Sequence, residues 1–250
     1  MKPLRMQTAL RRRLRWPLPL VCEQCNGKRC RAKLDPNGDH WASCSRSGRL
    51  SRRSKPIERM WARIFREAGA RVLENVFLRD TAFPGISLTD GRRLEVVATG
   101  LPLERGIPLG IDTTLVSPLH ANGTVWARAD TEPGAAIRRA ERDKASTYPE
   151  LVDSSVLRLT TLACEVGGRW SQRTADLVQE LAFAKSRQYP PRLRASAAVG
   201  WRKRWWSVLA VSAQDALAAT LVDDGVLLLD GGDDHIPELS AVLLDAAAQA

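Results

Sequence analysis

The clearest pattern along the chain is an apolar stripe. Ile57, Met60, Trp61, Ile64, Phe65 and Ala68 recur at the i, i+3, i+4, i+7, i+8 and i+11 spacing that lines one side of an α-helix. Ser54 can cap this helix, Pro56 suits its first turn and Gly69 can end it. Residues 71–78, rich in branched and aromatic side chains, then read as a strand. Asp90-Gly91 signals a turn into a second strand at 92–98, and a third at 108–116 stops before Pro118. A helix over 135–148 ends at Pro149, a fourth strand covers 156–165, and a helix covers 171–187. After Pro190-Pro191 a long helix runs through 222. Three successive strands cannot all be joined by parallel crossovers. The order α-β-β-β-α-β followed by helices therefore predicts an α/β domain with a mixed sheet and helices packed on it.

Composition fits that picture. The 250 residues are 44% hydrophobic and 26% charged, a globular balance that excludes a wholly disordered or collagen-like chain. No apolar run approaches the ~20 residues of a membrane span, so no membrane partner is expected. The apolar stretch near the N-terminus, 16–21, is short and carries Pro17 and Pro19, unlike a secretory signal. An intracellular, non-secreted protein is the expectation.

Charge divides the chain. Residues 1–55 hold 15 Lys/Arg against Glu23, Asp35 and Asp39, a net +12 out of +10 for the whole. The last 28 residues have seven acids and no Lys or Arg. Four segments follow: a basic arm (1–20), a Cys/His module ending in a basic run (21–53), the α/β domain (54–222) and an acidic, Ala-rich tail (223–250). A basic block on a near-neutral body is the footprint of a polyanion-binding arm, although a solubilising tail has the same composition. Arg11, Arg12, Arg13, Arg15, Arg52 and Arg53 are the candidate phosphate contacts. Trp201, Trp205 and Val208 share helical spacing, so the tryptophans among Arg202, Lys203 and Arg204 read as core rather than as base-stacking groups.

Cys22, Cys25, Cys30 and Cys44 lie close together and Cys164 stands apart. An odd count without a signal peptide argues for metal rather than a disulfide framework. Cys22-x2-Cys25 followed by His40-x3-Cys44 has the form of a zinc site, with Asp35-Pro36-Asn37-Gly38 as the turn between the pairs. Cys30 is a surplus thiol that can replace Cys22. So small a segment cannot build a sufficient core, whereas zinc supplies on the order of 10–16 kcal/mol. A site closed by four protein ligands is structural rather than catalytic.

Glu95 sits inside the second strand and Asp112 inside the third, where acids are depleted. If the carboxylates approach to ~4 Å, they repel by about 4 kcal/mol at an effective dielectric near 20. A divalent cation such as Mg²⁺ reverses that sign. Lys144 shares a helix face with Ile137, Ala140 and Tyr148, which points it toward the sheet, although a snorkelling lysine fits the same pattern. Glu58 and Glu165 are outer acids that read as structural.

On these residues the chain resembles the PD-(D/E)xK restriction-like nucleases. More narrowly, it resembles the C-terminal zinc-knuckle and restriction-like endonuclease region of non-LTR retrotransposon reverse-transcriptase proteins. The carrying stretches are LDPNGDHWASC (34–44), RRLEVVATGLPL (92–103), IDTTLVSPL (111–119), KASTYPEL (144–151) and EVGGRW (165–170). The resemblance implies a PD-(D/E)xK-like core, Mg²⁺ or Mn²⁺ as catalytic cation beside a structural zinc, and nicking of DNA, with RNA as a second polyanion. It also implies a nuclear address if the chain is a eukaryotic retroelement product. Glu95 would take the place of the Pro-Asp aspartate, Asp112 that of the second metal-binding acid, and Lys144 that of a lysine displaced onto the following helix. Leu94-Glu95 replaces Pro-Asp, and Thr114 stands where the common motif has its strand lysine. LVDDG (221–225) lacks the features of a polymerase box. Two other readings remain: a catalytically inactive zinc-containing nucleic-acid-binding protein, and a zinc-stapled protein-interaction module.

Overall fold

The computed structural model describes residues 1–18, 20, 22–81 and 83–222. The expected tail, 223–250, lies outside the described residues. In chain order the principal elements are α1 (Pro3–Arg13), α2 (Asp39–Ser43), α3 (Ser54–Ala68), β1 (Arg71–Phe77), β2 (Arg93–Thr99), β3 (Leu109–Val116), α4 (Ala135–Thr147), β4 (Arg158–Glu165), α5 (Gln172–Ser186) and α6 (Arg194–Leu221). The four strands form one mixed sheet in the order β1-β2-β3-β4. β1, β2 and β3 pair antiparallel, while β3 and β4 pair parallel, with α4 as the crossover that a parallel pair requires. The α/β class and the mixed sheet follow the hydrophobic pattern.

Both faces of the sheet are covered. Ile57, Trp61, Ile64 and Phe65 of α3 pack with Val96, Ile111 and Leu115 of the sheet and with Leu177, Trp205 and Leu217 of α5 and α6. On the opposite face, Ala136, Ile137 and Ala140 of α4 meet Val116 and Ala163. α3 ends where expected, at Gly69 with φ 106, a left-handed cap that glycine adopts without a Cβ clash. Its start differs: Arg53 is the cap residue, and the Ser54 hydroxyl donates to Ser51 O (3.2 Å) instead of capping.

The first fifth of the chain is built into the body. Residues 3–13, expected as part of a basic arm, form α1, which buries Thr8 and Ala9 and pairs Arg5 with Asp215 of α6 (3.2 Å). Pro3 at the start and Arg11, Arg12 and Arg13 in the last turn suit a helix and its dipole. Leu18, Leu34, Trp41 and Ala42 join the core cluster that holds Trp61 and Leu221, so the Cys/His segment packs against the α/β domain. At Gly38 (φ 74) an added Cβ would meet Leu221 Cδ2 at 2.8 Å; here the turn and the close approach both require glycine. Among the described residues no helix is long and apolar enough to cross a membrane.

Candidate metal centres

Glu95 and Asp112 meet because of the β2–β3 register. Val96 stands opposite Ile111, and Glu95 and Asp112 are the next positions outward in that register. There the ladder opens, and Glu95 Oε2 accepts the Thr113 backbone N–H (2.6 Å). On the other side β1 pairs Glu74 with Val96 and Val76 with Leu94. Between them Asn75, opposite Glu95, adopts a left-handed φ of 57 that asparagine tolerates better than most residues. The irregularity shows in the packing. Leu94 and Val96 would share a face of a regular strand, yet Leu94 packs with Tyr148 and Leu151 while Val96 joins the main core.

Two helices complete the site. α4 brings Lys144, whose Nζ lies 2.6 Å from Asp112 Oδ1 as an ion pair, with Asp112 almost wholly buried. Beyond it Tyr148 is buried and donates its hydroxyl to Arg93 O (2.9 Å). α3 brings Glu58, 3% exposed, with Oε2 on Lys55 Nζ (2.9 Å) and Oε1 buried without a hydrogen-bond partner. Lys55 Nζ also donates to Asn75 Oδ1 (3.0 Å), tying α3 to the kink in β1.

The electrostatics follow from burial and like charge. Burial, then the Asp112 carboxylate, pushes Glu95 up to about 7 against the pull of the Thr113 hydrogen bonds. Burial also raises Asp112, with the Lys144 ammonium opposing it and Glu58 adding to it. Tyr148 is raised by burial and then by Asp112. The three acids are neutralised in part by two ammoniums, Lys144 on Asp112 and Lys55 on Glu58, and one carboxylate oxygen of Glu58 stays orphaned. Glu95, Asp112 and Lys144 are thus brought together. Glu58, read from sequence as structural, adds its charge to Glu95 and Asp112 from α3.

The thiol cluster differs from the Cys22-containing set. Cys25, Cys30, His40 and Cys44 offer ligand atoms that all lie within 4.8 Å of one another; Cys22 is not among them. The reason is a small hairpin. Leu34 N donates to Glu23 O, Gln24 bridges Lys33, and Cys25 N donates to Ala32 O, with the turn closed by Cys30 N to Gly27 O (3.0 Å). Cys25 and Cys30 therefore flank the tip, while Cys22 lies beyond the base and packs, half-buried, against the core. Asp35 fixes the other pair by accepting from the backbone N–H groups of Asn37, Asp39 and His40 at 3.0, 2.9 and 2.8 Å.

The cluster's dimensions fit zinc. Tetrahedral bonds of about 2.3 Å to sulfur and about 2.0–2.1 Å to nitrogen imply S···S near ~3.8 Å and S···N near ~3.6 Å. Cys25–Cys44 is 4.0 Å, Cys30–Cys44 3.7 Å, and Cys30 Sγ–His40 Nε2 3.4 Å. His40 Nδ1 lies 2.6 Å from Ala121 O, an acceptor only. The proton therefore sits on Nδ1, leaving Nε2 free as a ligand. Burial, then Cys30, pushes Cys44 up to about 11, while the Ala32 backbone hydrogen bond leads in lowering Cys30. A bound cation removes that conflict.

The candidate phosphate contacts divide. Arg12 is spent inside the fold on Asp39 Oδ1 (2.5 Å) and Asn37 O. Arg53 donates to Ala42 O (2.9 Å), and burial lowers it to about 10. Arg11 donates to Pro17 O (3.1 Å). Arg13 and Arg15 are exposed and, with Gln214, Ser117 and Gly167, line a cleft of about 630 Å³ between α1 and the ends of β3 and β4. Arg52 is exposed, whereas Arg49 of the same run is buried with its guanidinium 4.1 Å from the Trp41 ring. No family model matches the chain and no curated protein matches it, so its chemistry is read from this geometry.

Proposed function

We propose that the chain is a divalent-cation-dependent DNA endonuclease of restriction-like type, derived from a retroelement, in which Glu95 and Asp112 hold the cation and Lys144 is the catalytic amine. The observation that carries this reading is the contact of Lys144 with Asp112 beside the buried Glu95 at the opening between β2 and β3, with Glu58 adding negative charge to both acids. The order acid, acid, amine along β2, β3 and α4 is that of the family the sequence resembles. Mg²⁺ or Mn²⁺ bound by Glu95 and Asp112, with Glu58 beside them, would supply Lewis acidity toward a phosphoryl oxygen and a more acidic water. The rest falls to the chain's own groups. The Thr113 N–H fixes the orientation of the Glu95 carboxylate. Lys144 neutralises Asp112 in the cation-free protein and turns to the substrate phosphate once Asp112 is engaged, where its charge stabilises negative charge developing on the phosphoryl oxygens. Zinc on Cys25, Cys30, His40 and Cys44 is structural, because four protein ligands close the site. Exposed Arg13 and Arg15 contact phosphates and carry no sequence information. In a eukaryotic host such an enzyme works in the nucleus.

The test is nicking of supercoiled plasmid by the purified chain with Mg²⁺ or Mn²⁺ and with EDTA as control. Nicking is expected with either cation and lost in Asp112→Asn and Glu95→Gln. Equal nicking by wild type and both variants overturns the assignment. Leu94-Glu95 for Pro-Asp and Thr114 for the strand lysine favour a second reading, an inactive nucleic-acid binder. It predicts salt-sensitive DNA binding and no cleavage with any cation.

A further inference from the structure

The segment between β3 and α4 belongs to neither metal centre, yet it touches the thiol cluster and the helix that carries Lys144. Residues 118–126 close on themselves. Leu119 bridges Val125, Trp126 N donates to Pro118 O (3.0 Å) and His120 N to Thr124 O (2.7 Å). Asn122 Oδ1 accepts from Thr124 N (3.0 Å), completing a compact hairpin. At its tip Ala121 O receives the Nδ1 proton of His40, the one imidazole in the thiol cluster. Next to that contact the His120 ring lies against Trp126, tilted by 36° with centroids 3.4 Å apart. The Arg139 guanidinium lies 3.5 Å from the Trp126 ring centroid. Arg139 is on α4, between one and two turns before Lys144.

α4 is anchored elsewhere as well, most directly by Lys144 on Asp112 (2.6 Å). Its N-terminal half is held by Ala136, Ile137 and Ala140, and alanines bury little apolar area. Its C-terminal end is pinned by Arg92 Nη1 to Thr147 O (2.6 Å) and by Tyr148 to Arg93 O. The hairpin adds the attachment near the middle of the helix. The Arg139 side chain is about one-third exposed and also faces Asp143 Oδ2 (3.6 Å), so the indole contact is a partly solvated cation–π arrangement.

We propose that the 118–126 hairpin is a strut that carries the position of His40, and with it the occupancy of the Cys25/Cys30/His40/Cys44 cluster, to α4 and Lys144, with Trp126 as the positioning residue. The proposal rests on the reading of Lys144 as the functional amine. The coupling is measurable without cleavage. In the zinc-loaded protein the strut holds Lys144 on Asp112. Losing it frees Asp112 for a divalent cation while leaving the amine misplaced for chemistry.

The experiment compares the wild-type chain with Trp126→Ala and Trp126→Phe by zinc content, amide hydrogen exchange and Mn²⁺ binding followed by electron paramagnetic resonance. Trp126→Ala should keep its zinc and exchange about threefold to fivefold faster over 135–147, a loss of the size a partly solvated cation–π contact accounts for. It should also bind Mn²⁺ more tightly, which loss of packing alone would not produce. Trp126→Phe should return both readouts toward wild type. Stripping zinc from the wild type should raise exchange over 118–126 and 135–147 together, whereas in Trp126→Ala stripping should change only 118–126. Unchanged exchange over 135–147 in zinc-loaded Trp126→Ala overturns the proposal, as does Mn²⁺ affinity that falls or stays level. A rise in exchange confined to 118–126 when the wild type is stripped of zinc overturns it as well. None of these readouts uses nicking, so failure of the strut and failure of the nuclease assignment are separate results.

Discussion

Lys144 Nζ and Asp112 Oδ1 are 2.6 Å apart, an ion pair between the last turn of α4 and the middle of β3. Asp112 is 3% exposed at its side chain and Lys144 31%, so the two partners are not equivalent. Without the amine, Asp112 is a buried charge facing Glu95 and Glu58. Without the acid, Lys144 turns to water. Lys144→Met should therefore destabilise the cation-free protein by about 2 kcal/mol, below the ~3–5 kcal/mol of a broken buried pair because Asp112 can take up a proton. Asp112→Asn should raise stability while abolishing nicking. Thermal melting in EDTA reads both, with ~4–8 °C expected for the lysine variant in a chain of this size. A Lys144→Met protein as stable as wild type in EDTA and indifferent to added Mg²⁺ would count against an acid-crowded site.

The pH dependence has two limbs of opposite sign. Glu95 is raised in the folded state to about 7 from an ordinary value of 4.5, so the folded protein binds the proton more tightly than the unfolded chain. Its contribution is fully present below about 4.5 and is lost as pH rises through about 7. Glu67 behaves inversely. Arg204 first, with Trp205 and Arg63, lowers it to about 2, so its contribution is held above 4.5 and lost as pH falls toward 2. In EDTA, Glu95→Gln should flatten the loss of stability between pH 4.5 and 7 and leave the acid limb intact. Glu67→Gln should remove part of the acid limb only. The rise in melting temperature produced by Mg²⁺ should grow with pH across the Glu95 window. Melting curves at half-unit steps check all three, and a Mg²⁺ effect independent of pH would contradict Glu95 as a ligand.

The contrast between Glu95 and Glu58 shows what a linear reading can and cannot reach. Glu95 and Asp112 are conspicuous because acids are rare inside apolar strands, and Lys144 because it interrupts a sheet-facing stripe. Glu58 stands beside Ile57 on a helix, where glutamates are ordinary. Its partner Lys55 also reaches the left-handed Asn75, a link that no local pattern reports. The sheet was legible for a related reason: branched runs and strand order are local facts. α1 was hidden because its buried face is small, Thr8 and Ala9, and lies among arginines that dominate the charge reading.

Cysteine choice gives a third prediction. Spacing alone admits Cys22 or Cys30, and the pairing of residues 23–25 with 32–34 decides for Cys30. Cys30→Ala should lose zinc and melt early, because the metal's contribution goes even though Leu34 and Trp41 still pack on the main core. Cys22→Ala should keep one zinc per chain and lose only what a half-buried thiol contributes, about 1 kcal/mol. Zinc released to a colorimetric chelator after thiol modification, with intact-mass measurement, separates the two. The opposite pattern would mean that the hairpin is paired in another register.

The arginines of the N-terminal segment should separate by role rather than by position. Arg12 reaches Asp39 and Asn37, holding α1 against the turn that presents His40, and Arg53 reaches Ala42 O. Neutralising either should lower melting temperature and leave the salt dependence of DNA binding unchanged. Arg13 and Arg15 are exposed on the wall of the α1 cleft and carry no such duty. Each phosphate contact contributes about 0.9 to the slope of log K against log salt on duplex DNA, so Arg13→Ala with Arg15→Ala should flatten that slope by about 1.8 at unchanged melting temperature. Fluorescence anisotropy on a short duplex from 50 to 200 mM salt, a range of about fourfold, makes such a difference measurable. If the Arg12 variant flattens the slope and the Arg13/Arg15 pair does not, the DNA path runs along the Arg12–Asp39 wall of that cleft.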